Sequence, residues 1–243
     1  MEVPGRPTPQ PPAVERPRFR DRDAAELRRP DVNPYVASHR GASERLIPAD
    51  EAWRWRGRWG EQFGREAPLH VEIGSGAGFF LTGMAVAHPD WNFLGVELRF
   101  KRVVICARKL DVACVSNARI ARYHGAFLDD LFEDGTLSAL YVNHPDPWPK
   151  ERHEKNRLIA RWFLEDCARL LQPGGHLRIK SDHPPNVTRV PELIAGLPFT
   201  VTGSSVDVHR DGAPWEGDVE TNYQRKKRIA GIPVLAMELV RQG

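Results

Sequence analysis

Cysteine is scarce in this chain, with only Cys106, Cys114 and Cys167 among 243 residues. The count is odd and no two of them form a C-x-x-C pair, which argues against a disulfide framework and against a zinc site. Long apolar runs are missing too, and nothing approaches the roughly 20 residues that a membrane-spanning helix requires. The first residues lack the basic-then-apolar pattern of an export signal. A cytoplasmic protein with no membrane and no metal is therefore expected. A dominant charge is also absent, since 35 Lys and Arg against 32 Asp and Glu leave a net charge of +3. So small a total says little about nucleic acid, for which the distribution of charge matters more. Nothing in the sequence sets the oligomeric state.

What the chain does contain is an ordinary globular composition, 41% hydrophobic, in a length that suits one α/β domain and a tail. Residues 1–45 read as a disordered, Pro/Arg-rich N-terminal tail. Pro4 to Pro17 has almost no large apolar residues, so it cannot bury enough surface to order itself. The domain is then expected over residues 46–243. Near its start, Trp53, Trp55 and Trp59 alternate with Arg54, Arg56 and Arg58. Such a run can stack on bases or pack a short helix against the domain, and packing is the favoured reading. Positive charge gathers at Lys150 to Arg161 and again at Arg225 to Arg228. Each run is either a path for phosphates or a solvated charged face.

From Leu69 onward, strand and helix signals alternate. Strands are predicted at Leu69–Ile73, Asn92–Glu97, Arg119–His124, Leu137–Asn143 and His176–Ser181, with later ones near Phe199–Val206 and Ile232–Val240. Helices are predicted after Gly78, over Arg99–Ala113, over His153–Leu171 and near Asn186–Gly196. Pro173-Gly174-Gly175 is expected to stop the third of these. Alternation of this kind implies an α/β fold with a doubly wound, mostly parallel sheet and helices on both faces.

Two segments carry chemistry. Gly74-Ser75-Gly76-Ala77-Gly78 leaves the first predicted strand and opens a helix, where glycines let the backbone turn sharply and approach a ligand. Glu97 ends the next strand, where a carboxylate can accept from ribose hydroxyls. The glycines are spaced G-x-G-x-G, whereas the dinucleotide fingerprint is G-x-G-x-x-G. Glu72, two residues before the first glycine, would repel a pyrophosphate but suit a cationic sulfonium ligand with an amino-acid tail. Both features favour S-adenosylmethionine over a nicotinamide cofactor. The second segment is His144-Pro145-Asp146-Pro147-Trp148-Pro149-Lys150, leaving the fourth predicted strand. Its prolines stiffen a loop that offers a carboxylate, an indole and an ammonium, a set suited to a nucleotide base and its phosphate.

Together, EIGSGAG, the strand ending in Glu97, and HPDPWPKERHEKNRL resemble the bacterial tRNA (guanine-N7)-methyltransferases, from about Ile73 to the C-terminus. The PDPWPK segment with its basic R-H-x-K-x-R-L sequel is the most specific part. Lys180-Ser181-Asp182 and Thr221-Asn222-Tyr223-Gln224 are weaker echoes. The resemblance implies a Rossmann-like class I methyltransferase that uses S-adenosylmethionine on tRNA, with guanine 46 of the variable loop as target. It implies cofactor contacts at Glu72, Gly74, Gly76, Gly78, Glu97, Ala126 and Asp146, with Asp146 also the catalytic acid. It implies substrate contacts at Lys150, Asp182, Thr221, Asn222, Tyr223 and Gln224. The chain departs from the family pattern in three places. His124 or Ala126 stands where an acid or amide is usual, His144 replaces a common phenylalanine, and Gln224 replaces a glutamate. A nicotinamide-dependent oxidoreductase, a non-catalytic RNA-binding protein and a methyltransferase redirected to another substrate are the alternatives.

Overall fold

A computed structural model describes residues 34–148 and 157–243. Eight strands form one sheet: β1 (Leu46–Ile47), β2 (Leu69–Ile73), β3 (Asn92–Glu97), β4 (Ala118–Arg122), β5 (Leu137–Asn143), β6 (Leu171–Ser181), β7 (Phe199–Ser205) and β8 (Leu235–Arg241). Their spatial order is β1-β4-β3-β2-β5-β6-β8-β7. Every neighbouring pair up to β6 is parallel, and β8 runs antiparallel to both β6 and β7. The four longer helices are α1 (Phe79–Ala87), α2 (Phe100–Val112), α3 (Arg161–Leu170) and α4 (Asn222–Ile229).

Strand β2 is buried along its whole length, as expected where helices cover both faces of a parallel sheet. Alternation then sends successive side chains into two cores. Val71, Ile73, Leu94 and Val96 join Phe163, Leu164 and Cys167 of α3 on one face. Phe93, Ile120 and Tyr141 join Phe80, Leu81 and Met84 of α1 and Val103, Val104 and Ala107 of α2 on the other. Each fully buried Leu, Val or Phe contributes on the order of 1.5–3 kcal/mol. The doubly wound reading of the sequence therefore stands.

Four boundaries need correction. Residues 34–45, assigned to the tail, belong with the domain: Tyr35 and Ala42 pack on the second core, and Arg45 reaches Asp111 at 2.6 Å and the Val115 carbonyl at 2.7 Å. The rest of the expected tail, residues 1–33, lies outside the described residues. Helix α3 begins at Arg161 and not at His153, because Ala160 is extended at its N-cap (φ −142°, ψ 164°); residues 153–156 lie outside the described residues. Pro173-Gly174-Gly175 does not separate helix from strand, since β6 already starts at Leu171, paired with Leu137 across a register shift. The helix expected near 186–196 is two short turns, Pro185–Thr188 and Val190–Leu193. Pro191 lacks the amide that would donate to Val187 and join them.

Chain order reverses at β2, whose neighbours are β3 on one side and β5 on the other. In sheets of this kind, ligands bind outside the carboxyl ends of the strands at that reversal. The ends of β2, β3 and β5 are Ile73, Glu97 and Asn143, so sheet topology brings both chemistry-bearing segments to one edge.

Candidate active site

The glycine loop is held by the strand beside it. The amides of Gly74 and Ser75 donate to the Val96 carbonyl at 2.8 and 3.2 Å. Gly74, Gly76 and Gly78 take φ values of +76°, +55° and +73°, a region that penalises any residue with a Cβ. At Gly74 a Cβ would meet nothing within 4 Å, and at Gly76 nothing nearer than 3.9 Å. The backbone there is open on its side-chain flank. Gly78 is different, because a Cβ would lie 2.4 Å from Cys106 Sγ, so its hydrogen lets α1 settle on α2.

Two carboxylates frame the loop. Glu97 Oε2 accepts from the Gly76 amide at 2.9 Å and Oε1 from the Arg99 amide at 2.8 Å. Each oxygen retains a second lone pair for a ligand hydroxyl. Glu72 is 3% exposed. Its Oε1 accepts from Asn143 Nδ2 at 3.0 Å, and its Oε2 is buried with no partner among the described residues. Burial pushes this carboxyl up to about 7, against the downward pull of Asn143, Ser75 and Lys180. A buried acid in this state gains most from a cation brought to its free oxygen. Beyond the end of β4, the Ala126 amide donates to His124 Nδ1 at 3.0 Å. Gly125 sits so close to Ile73 that a Cβ would approach Cγ2 at 2.4 Å. Ala126 thus lies beside the end of β2, although it offers only a methyl group and its backbone.

The substrate-side residues divide. Asp146 is exposed on the loop beyond β5. It lies three residues after Asn143, whose side-chain amide reaches Glu72, so the loop starts beside the carboxylate that precedes the glycine loop. Pro145 is tethered through its carbonyl by Asn186 Nδ2 at 3.2 Å, and Trp148 takes a φ of +40°. Lys150 lies outside the described residues. Asp182 accepts from Lys227 Nζ at 2.8 Å and from the Tyr223 hydroxyl at 3.4 Å. Burial raises the Asp182 carboxyl, but Lys227 and a backbone amide outweigh it and the net shift is downward. Asp182 is therefore charged near neutral pH.

Within the Thr221–Gln224 stretch, roles differ from a uniform contact strip. Thr221 caps α4, accepting from the Gln224 amide at 2.8 Å. Asn222 accepts from Arg225 at 3.4 Å, and Tyr223 is 46% exposed. Gln224 is buried and accepts through Oε1 from Lys180 Nζ at 3.0 Å. The same ammonium donates to Asp218 Oδ1 at 2.8 Å, to Oδ2 at 3.0 Å and to the Val219 carbonyl at 3.2 Å. Gln224 thus completes the shell of a buried lysine, which already has the charge of Asp218. A glutamate there would set a second carboxylate beside Asp218 around one cation.

The sequence assigned no role in the site to Asn143, His144, Lys180 or Asp218. A strand end in Asn and a lysine inside an otherwise apolar strand were the available signals. Helix α4 was also missed, although a threonine three residues before a glutamine is the pattern of an N-cap. The Trp/Arg run resolves towards packing: Trp59 is buried and donates to the Leu131 carbonyl at 2.8 Å. Arg58 is paired with Glu61, and Arg56 with the Asp129 and Phe132 carbonyls and Glu133. Arg161 is likewise taken by Glu165 and the Leu193 and Ala195 carbonyls.

Residues 66–234 match the family described as "Putative methyltransferase". A tRNA (guanine-N(7)-)-methyltransferase of Leuconostoc mesenteroides is 35% identical over 210 residues, covering 85% of this chain and 94% of that protein. One from Geobacillus thermodenitrificans is 37% identical over 196 residues, covering 81% and 89%. The chain belongs to the tRNA (guanine-N(7)-)-methyltransferase family. Among solved structures, the 16S rRNA methyltransferase KamB superposes with a TM-score of 0.58 at 14% identity, over 75% of this chain and 92% of that one. TrmN from Thermus thermophilus gives 0.52 at 17%, over 72% and 44%. At such identities these two show a shared fold. Family membership excludes the nicotinamide-dependent oxidoreductase among the alternatives.

Proposed function

We propose that this chain transfers a methyl group from S-adenosylmethionine to N7 of a guanine in tRNA, with guanine 46 of the variable loop as the position. Its relatives carry this activity in their names over most of their length. The observation that carries the reading in the structure is Glu72, a buried acid with one oxygen unpartnered among the described residues, set beside an open glycine loop. That donor set fits S-adenosylmethionine: Glu72 for a cationic group, Glu97 for ribose hydroxyls, Gly74, Gly76 and Gly78 for close backbone approach, and the Ala126 loop for the adenine.

When bound, S-adenosylmethionine supplies an electrophilic methyl group carried on a sulfonium. The chain's own part is mostly placement. Guanine N7 has a free lone pair, so no residue has to remove a proton before attack. Orientation alone accounts for on the order of 7–11 kcal/mol in favourable cases. The purine becomes positive as N7 is alkylated, and a fixed carboxylate beside it stabilises that change. Asp146 is the residue assigned to this role. Asp182, held in charged form by Lys227, is assigned to the guanine N–H groups, with Tyr223 beside it and Lys150 on phosphate. Among the described residues, no helix is long and apolar enough to cross a membrane.

The deciding experiment incubates the protein with labelled S-adenosylmethionine and unmodified tRNA and maps 7-methylguanosine. Label at guanine 46 supports the whole proposal. Label at another guanine refutes the position, and a tRNA that stays unlabelled refutes the activity.

A further inference from the structure

His144 stands between the end of β5 and Asp146, and the proposed reaction gives it no task. Its φ is +51°, a left-handed conformation that costs energy in a residue with a Cβ and marks a local constraint. The constraint is visible. The His144 amide donates to the Lys180 carbonyl at 2.7 Å, which extends the β5–β6 pairing by one residue. The side chain is 6% exposed, with Nδ1 3.4 Å from Asp182 Oδ1. The ring lies 4.8 Å from that of Tyr223, tilted by 54°. Asp182 is therefore gripped from two elements: Oδ1 by the β5 loop through His144, and Oδ2 by α4 through Lys227 at 2.8 Å and Tyr223 at 3.4 Å.

The chemistry of the pair sets the tautomer. An ionised carboxylate only accepts, so the ring nitrogen facing it must carry the hydrogen. Nε2 is buried without a partner among the described residues, and is then the unprotonated nitrogen. Burial brings the imidazole down to about 4, with Lys180 and Lys227 adding to the effect and Asp182 opposing it. The charged and titratable groups that face the ring are thus Asp182 and Lys180 from β6 and its end, and Tyr223 and Lys227 from α4.

We propose that His144 is a positioning residue for Asp182. Its neutral Nδ1–H fixes the rotation of that carboxylate, so that the acid meets the N1–H and 2-amino groups of guanine as a preset pair of acceptors. The role rests on the assignment of Asp182 to the guanine edge, and the tests below separate the two.

The first test needs no variant beyond an assignment control. In protein labelled with 15N-histidine, the His144 signals, assigned by their loss in His144→Asn, should show a neutral Nδ1–H ring at pH 7. An Nε2–H tautomer or a charged ring overturns the proposal. The second test is kinetic. His144→Phe keeps a ring against Tyr223 but has no donor, whereas His144→Asn keeps a donor near the Nδ1 position and tolerates positive φ. The phenylalanine variant should raise KM for tRNA about tenfold, the scale of one hydrogen bond to a charged group, with kcat nearly unchanged. The asparagine variant should recover most of that loss. Equal KM values for the two variants overturn the proposal. In Asp182→Asn, an unchanged KM overturns the guanine assignment even where the tautomer is as expected. A wrong tautomer overturns the His144 role even where Asp182→Asn is impaired.

Discussion

Asn143 donates to one oxygen of Glu72 at 3.0 Å and leaves the other oxygen buried without a partner among the described residues. The pair joins β5 to β2 across the point where strand order reverses. It fixes the carboxyl in place but satisfies only half of it. Such a group is costly in the free protein and useful once a cation arrives.

Stability should therefore be inverse to function at Glu72. Its carboxyl is pushed by burial from the usual 4.5 up to about 7. With the folded value raised, its contribution is fully present below pH 4.5 and is lost as pH rises through about 7. Glu72→Gln should match wild type near pH 4 and exceed it by about 3 kcal/mol at pH 8, from roughly 1.4 kcal/mol per unit. Urea unfolding at the two pH values checks this. Calorimetry should show weaker binding of S-adenosylmethionine by the same variant.

The glycines of the loop should respond unequally to alanine. Gly74→Ala and Gly78→Ala both pay about 1 kcal/mol for their positive φ. Only Gly78→Ala also drives a Cβ to 2.4 Å from Cys106 Sγ. It should melt several degrees below Gly74→Ala, and thermal denaturation of both proteins reads the difference.

The buried ion pair predicts a cycle. Lys180 is 0% exposed and saturated by Asp218, Gln224 and the Val219 carbonyl. Lys180→Met should cost about 3–5 kcal/mol, because it leaves Asp218 without its cation. Adding Asp218→Asn should restore part of that loss. A double-mutant cycle on unfolding free energies measures the coupling, and additive losses would contradict the pairing.

Asp146 should separate chemistry from folding. The residue is exposed, so Asp146→Ala should change unfolding free energy by no more than about 0.5 kcal/mol. Methyl transfer to tRNA should fall by about 10²-fold, the scale of one electrostatic contact to a developing charge. Near-normal turnover would remove Asp146 from the catalytic role.

Binding of tRNA should carry a salt signature. Arg225 and Lys226 are exposed on α4, beside Lys227 and Arg228, which are held by Asp182 and Glu220. Replacing Arg225 or Lys226 with alanine should lower the slope of log affinity against log salt by about 1 each. Filter binding across a salt series checks this, and unchanged slopes would leave that face merely solvated.

How much of this was legible in the sequence depended on the range of the interactions involved. Strands β2, β3 and β5 and helix α2 follow from apolar spacing, which records which face of an element is buried. The glycine loop and the acids at 72 and 97 follow from local backbone needs and from their position at strand ends. The short start of α3 and the broken helix after Asp182 were misjudged because extended Ala160 and Pro191 outweigh periodicity at their own positions. The alternation of Trp53, Trp55 and Trp59 with Arg54, Arg56 and Arg58 left base stacking open beside the favoured packing, and Arg56 and Arg58 are spent on nearby carbonyls and carboxylates.

By itself, then, the sequence determined the alternating α/β order, the glycine loop and the stiff proline segment, since each is written in residues adjacent along the chain. Tertiary structure alone decided that Asn143 serves Glu72, that Gln224 serves Lys180, and that His144 and Lys227 hold Asp182 from opposite sides. Those partners are separated by 71, 44, 38 and 45 positions. Only the order of strands in the sheet and the seating of α4 against β6 bring them within hydrogen-bond reach. Hydrogen bonds and ion pairs depend on distance in space, and no local pattern in the chain encodes it.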